Sequence, residues 1–229
     1  MRTFAEILHI AADRKGGVEA VLAGVPRPKT AAELATIPDG HWLAAMARGI
    51  FQAGISWKVV DNKWPGIVAA FDGFDPAKVA MIEGDRLDAL LSDTRVIRSG
   101  PKIVAIRDNA VFIRRVSAEA GSFGRKVGDW SASDYTGLLG WLGKEGSRLG
   151  GATGSYMLRH MGKESFILSQ DVVARLEAEG VIDGPPTSAK AMKAVQEAFN
   201  IWVKESGQSL TTISRVLAQS IGVSAAEEM

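Results

Sequence analysis

Apolar residues along this chain recur at helical spacing almost throughout, and the alternation that marks a strand is close to absent. Leu43, Met46 and Ile50 fall three and four residues apart and stop before Gly54, which predicts one helix. Asp75-Pro76 reads as an N-cap followed by proline at the first helical position, opening Val79-Ala80-Met81-Ile82. Two more helices are predicted over Asp85 to Leu91 and Lys102 to Val116. Met192, Val195, Phe199 and Trp202 follow the capping candidates Thr187 and Ser188. Leu210, Ile213, Val216, Leu217 and Ile221 repeat that pattern before Gly222, a C-terminal stop signal. Ala120 to Asp134, with Gly121, Gly124 and Gly128, is the most loop-like stretch, and Asp183 to Ser188 is the next. The pattern predicts an all-α chain, one domain over residues 1–229 with an N-terminal and a C-terminal lobe.

Composition narrows this picture. With 229 residues, 46% of them apolar, the chain can bury a core that needs no covalent staples. No apolar run approaches the ~20 residues that span a bilayer. Glu6, His9 and Asp13 interrupt the first apolar stretch, so no secretory leader is expected and a cytoplasmic location is. There is no cysteine, which removes disulfides, thiol nucleophiles and zinc sites with thiolate ligands. Three histidines, His9, His41 and His160, are few for a His-rich metal centre, and neither metal nor organic cofactor is expected.

The net charge of +1 gives no sign of a polyanionic partner, but its distribution does. Arg95 to Lys126 carries eight basic and two acidic residues, net +6, and Lys144 to Lys163 four against one, net +3. Asp72 to Asp93, with two basic and six acidic residues, is −4; Glu164 to Met229, with five and nine, is also −4. Folded onto one face, the two basic segments form a phosphate-facing patch; folded apart, they are solvated helix faces.

Between the apolar faces Leu138-Leu139-Trp141-Leu142 and Tyr156-Met157-Leu158-Met161 lies the glycine-rich run Leu149-Gly-Gly-Ala-Thr-Gly-Ser155. Two helices joined by such a turn make a helix-hairpin-helix at about 137–162. Its glycines let backbone N–H groups approach a phosphate, and the second helix aims its free N-terminal amides at the same anion. An ordinary turn between helices with a glycine cap fits the same residues.

Phe51-Gln52-Ala53-Gly54-Ile55-Ser56-Trp57 resembles the Q-A-G-L-S-W signature of the DNA-3-methyladenine glycosylase I family. Phe71-x-x-Phe74-Asp75-Pro76-x-Lys78-Val79-Ala80 is similar to that family's next block. Asp93-x-x-Val96-Ile97-Arg98-x-x-x-Lys102-Ile103-x-Ala105-Ile106-x-x-Asn109-Ala110 resembles the one after it, and Gly151-x-Thr153-x-x-Tyr156 its hairpin. The resemblance covers about Ala44 to Met161. It implies a two-lobed helix-hairpin-helix DNA glycosylase, acting as a monomer on double-stranded DNA containing alkylated bases. Such an enzyme flips a damaged nucleotide into a pocket and hydrolyses its N-glycosidic bond.

Three departures stand beside the resemblance. The family holds its chain ends with a zinc on Cys and His, which a chain without cysteine cannot reproduce. The family's pocket Glu, eight positions before the signature Trp, is Gly49 here. Beyond the hairpin, the C-terminal helical extension 165–222 looks like the wider superfamily, in which a catalytic Asp follows the second hairpin helix. In Ile167 to Val173 that place is nearest Ser169, with Asp171 two residues on.

The resulting site expectations are these. Trp57 stacks on the extruded base, Gln52 offers a donor and an acceptor to its edge, and Phe51 borders them. Gly151, Thr153 and Ser155 of the hairpin, with Arg98 and Lys102, meet the DNA backbone. Asp171 is the candidate catalytic carboxylate, since hydrolysis needs one to activate water or stabilise an oxocarbenium-like sugar; it also suits an N-cap for a helix opening at Val172. An alkylated purine is already cationic and leaves readily, so a shaped pocket does much of the work. The missing carboxylates leave open a catalytically inactive protein that binds damaged DNA, or a glycosylase with another lesion preference.

Overall fold

Short polar residues set most of the helix starts. Thr3 and Thr30 form reciprocal capping boxes with Glu6 and Glu33, and the side chains of Asp75, Ser122, Ser169, Ser188 and Ser209 each accept a first-turn amide. The computed structural model describes residues 1–221, and among these there are fourteen α-helices and no strand. The chain divides into two compact units that interleave in sequence.

The first unit comprises Met1–Pro28, Ser131–Thr136 and the part from Glu164 onward. It contains α1 (Phe4–Lys15) and α2 (Val18–Leu22) with three later helices, α12 (Gln170–Ala178), α13 (Ala189–Ser206) and α14 (Leu210–Gln219). Phe166 and Phe199 stack at its centre, Trp202 meets Phe199 edge-on, and Tyr135 meets Phe166 edge-on. Its two ends of chain are held by a buried ionic cluster. Arg2 donates to Glu179 through its backbone N–H (2.7 Å) and its guanidinium (2.8 Å), and Trp202 Nε1 donates to Arg2 O at 3.0 Å. Arg175 donates to Glu179 and also to the Ser220 hydroxyl and carbonyl. The Glu179 side chain is 2% exposed. Burial alone would raise its carboxyl, but the hydrogen bonds from Arg2 and Arg175 outweigh that and hold it below the ordinary value of 4.5.

The second unit is Lys29–Trp130 with Gly137–Lys163. Its helices are α3 (Ala31–Ala35), α4 (Asp39–Gln52), α5 (Trp57–Ala70), α6 (Pro76–Val79), α7 (Gly84–Ser92), α8 (Gly100–Ala120) and α9 (Phe123–Asp129). The hairpin helices α10 (Tyr135–Glu145), whose first two residues lie in the first unit, and α11 (Ala152–Met161) complete it. Two aromatic clusters form its core. Phe51, Phe71, Phe74 and Trp64 make one, and Trp42, Phe112, Phe123 and Trp141 the other.

The predicted helices at Leu43, Asp75, Asp85, Lys102, Met192 and Leu210 are all present, with Ser188 rather than Thr187 as the cap of α13. Gly222, the expected stop after α14, lies outside the described residues. The expected loop at Ala120 to Asp134 instead contains α9, from Phe123 to Asp129. A Cβ on Gly124 would come within 2.2 Å of Leu34 O, and one on Gly128 within 2.8 Å of Ala31 O. These glycines bring α9 against α3, a close helix contact that reads in sequence as a turn. Asp171 does not cap α12: that role belongs to Ser169, whose hydroxyl accepts from Val172 N.

Candidate base-binding site

Trp57 owes its position to the turn before it. α4 ends at Gln52, Gly54 takes a φ of 77° that suits glycine, and α5 begins at Trp57 itself. Lys102, on α8, fixes this turn from beneath. Its ammonium donates to Phe51 O at 3.1 Å and Ala53 O at 2.6 Å, two carbonyls at the end of α4 that the helix leaves unpaired. Burial, and after it the charge of Arg148, lowers the Lys102 pKa.

Trp57 is 59% exposed, unusual for a residue of its size, and Tyr156 of α11 is 46% exposed. The two rings meet edge to face, 6.3 Å between centroids at 81°. They line a cavity of about 420 Å³ with Gln52, Gly49, Arg48 and Asp61. Asp61 stands one helical turn after Trp57 on α5, on the same face. Its carboxylate accepts from Arg48 Nη2 at 2.6 Å, and it is the one carboxylate among the described residues lining this cavity. The Arg48 guanidinium also lies over the Trp64 ring, 5.2 Å from its centroid. Gly49 sits where α4 approaches the hairpin: a Cβ there would be 3.2 Å from Thr153 Cγ2.

The hairpin turns tightly between α10 and α11. Gly154 passes so near Leu149 O that a Cβ would be 2.3 Å from it. Asn109 of α8 pins the turn, donating to Ser147 O at 2.8 Å and accepting from Ser147 N at 2.9 Å. α11 opens at Gly151, with φ 58°, and no side chain caps its first amides.

The expected residues are thus distributed as follows. Trp57 and Gln52 line the cavity, whereas Phe51 is fully buried against Phe71 and does not. Gly151 and Thr153 open α11; Ser155 is buried, its hydroxyl donating to Ala152 O at 3.1 Å. Arg98 is exposed, and Lys102 is engaged with the α4 carbonyls. Asp171 is exposed in the first turn of α12, belongs to the first unit and is not among the cavity-lining residues. Sequence reading missed Asp61 as a site residue and left Tyr156 as hairpin only. Counting one helical turn on from Trp57 would have reached Asp61.

A zinc clamp does not fit this chain. It has no cysteine, and no group of three or more His, Asp or Glu among the described residues could hold a metal.

Comparison with known proteins places the fold first. A crystal structure of 3-methyladenine DNA glycosylase I aligns with 59% of this chain and 81% of its own, at TM-score 0.50 and 25% identity. A Staphylococcus aureus 3-methyladenine DNA glycosylase I aligns with 67% of this chain and 91% of its own, at TM-score 0.50 and 21% identity, a likeness of fold alone. The architecture is that of the all-helical 3-methyladenine glycosylases.

The sequence shows similarity over part of its length as well. Residues 39–136, somewhat under half of the chain, match the model of the methyladenine glycosylase family. A 59-residue stretch is 42% identical to DNA-3-methyladenine glycosylase 1 of Escherichia coli (strain K12). That match takes in 26% of this chain, which spans about a third of the length of the curated relative, 32%.

Proposed function

We propose that this protein is a DNA glycosylase that flips an alkylated purine such as 3-methyladenine out of the duplex and hydrolyses its N-glycosidic bond. The observation that carries the reading is the exposed Trp57–Tyr156 pair at a cavity whose lining, among the described residues, holds one carboxylate, Asp61. The match of residues 39–136 to the methyladenine glycosylase family model supports it.

In this account the extruded base stacks on Trp57, with Tyr156 edge-on beside it and Gln52 at its polar edge. An N3-alkylated purine carries a positive charge, and the Asp61 carboxylate, which Arg48 holds in place at 2.6 Å, lines the cavity it enters. As the bond from C1′ to the base breaks, its electron pair stays with the base, which leaves neutral. The sugar takes up positive charge and water adds at C1′, giving up a proton. A carboxylate near that centre stabilises the cation or accepts the proton. Asp61 fits this part better than Asp171, because Asp61 lines the cavity. The uncapped first turn of α11, at Gly151 and Thr153, offers its amides to a DNA phosphate without reading sequence. Arg98 adds an exposed cation, and the enzyme works as a monomer.

The test is release of free 3-methyladenine from methylated duplex DNA, with an active glycosylase alongside. Release above the buffer control is expected. Tight binding to an abasic-site duplex with no release of any base would replace this reading with a non-catalytic binder of damaged DNA.

A further inference from the structure

A second cavity, of about 400 Å³, shares Arg48 with the first. Lys29, His41, Arg48, Trp64, His160 and Met161 are among its lining residues, and no carboxylate among the described residues joins them. Ala45, Arg48 and His160 line both cavities, so the two adjoin along the groove between α4 and α11. His41, Ala45 and Arg48 recur at four- and three-residue spacing and share one face of α4. Two of the three histidines of the chain meet here.

The local charges suit a monoanion. Arg48 is offset by Asp61, with which it pairs at 2.6 Å, so the Lys29 ammonium is the formal charge left over. One of its three donors reaches Met161 O at 3.0 Å, where it answers the negative end of α11. Each imidazole supplies at least one N–H, and the Arg48 fork holds further donors besides the one given to Asp61. His41 also stands in the first turn of α4, which no side chain caps. Several N–H donors around one excess positive charge, with no carboxylate among the described lining residues, describe a phosphate site.

We propose that this cavity binds a phosphate group, and that in the glycosylase complex it holds a phosphodiester flanking the nucleotide whose base enters the Trp57 cavity. The second clause rests on the function proposed above; the first does not. Arg48 then serves both cavities at once, aligned by Asp61 and Trp64, and ties the position of the flipped base to that of the backbone beside it.

The experiment has two arms, so that the two clauses fail separately. In the first, inorganic phosphate is titrated at constant pH and ionic strength while the three imidazole ring-proton resonances are followed. His9, on α1 in the first unit, is the internal control. Saturable shifts of His41 and His160, with His9 unmoved, are expected; no shift, or equal shifts in all three, overturns the site. In the second arm, the salt dependence of affinity for an abasic-site duplex is compared between the wild type and Lys29→Gln. Glutamine removes the charge while keeping N–H donors on a side chain one bond shorter. Loss of one phosphate contact lowers the slope of log affinity against log salt by about 1. An unchanged slope together with phosphate-shifted histidines assigns the site to a free phosphate or mononucleotide rather than to DNA backbone. No wild-type DNA binding at all would sink the proposed function and leave the first arm to decide the site.

Discussion

Trp57 and Asp61 are read differently in the sequence although they are one turn apart. Trp57 belongs to the block Gln52-Ala-Gly-Ile-Ser-Trp57, and its exposure agrees with a stacking surface. Asp61 belongs to no block, and the start of α5 carries little apolar period to reveal which residues share a face. The charge of Lys102 was legible, but not that Phe51 O and Ala53 O lie within its reach. Phe51 shows the converse: adjacency to Gln52 in sequence says nothing of which way a helical residue points, and its ring is in the core. Asp61→Asn keeps the shape of the site and removes its charge. Single-turnover excision of 3-methyladenine is expected to fall by about 10²-fold or more, within the range of a lost acid–base group. The Arg48–Asp61 pair is partly exposed, so its loss costs at most about 1 kcal/mol of stability, and the unfolding midpoint should barely move.

At the scale of elements, most helices were legible because their caps and apolar faces agree. Misreading came where glycine serves packing instead of a turn, as in α9 against α3. The hairpin contains both uses. Gly151 has a positive φ, whereas Gly154 is helical and admits no Cβ beneath Leu149 O. Gly154→Ala is therefore expected to destabilise the protein by about 1–3 kcal/mol in denaturant unfolding, through overpacking against backbone that cannot step aside. Gly140→Ala, on α10 with open space around it, gives the opposite sign, a gain of up to about 1 kcal/mol from helix propensity. Equal effects at the two positions would contradict the packing argument.

For the molecule as a whole, a chain without cysteine still closes its first unit, and it does so with charge. Arg2 lies at one end of the described chain and Ser220 at the other, and both meet the Arg175–Glu179 pair. Nothing in the spacing of these residues announces the cluster, since its members are up to 218 positions apart and only the fold brings them together. Glu179 is held below 4.5, so its contribution is complete above that pH and fades as the pH falls through its folded value. Glu179→Gln is expected to cost about 3 kcal/mol at pH 7, because it leaves buried arginine without its counter-charge. The gap between variant and wild type should then narrow steadily below about pH 4.5, measured by denaturant unfolding at a series of pH values. A gap that stayed constant to pH 2 would remove Glu179 from the account of acid stability.

The central claim is that the cavity beside Trp57 and Tyr156 receives the damaged base. Trp57→Ala tests it most directly, with excision of 3-methyladenine under single-turnover conditions and affinity for undamaged duplex measured on the same preparation. Stacking worth ~1–3 kcal/mol per base predicts a loss of excision of about 5- to 150-fold, with affinity for undamaged DNA within about twofold of wild type. Undiminished excision by the variant, or parallel loss of excision and of undamaged-DNA binding, would contradict it.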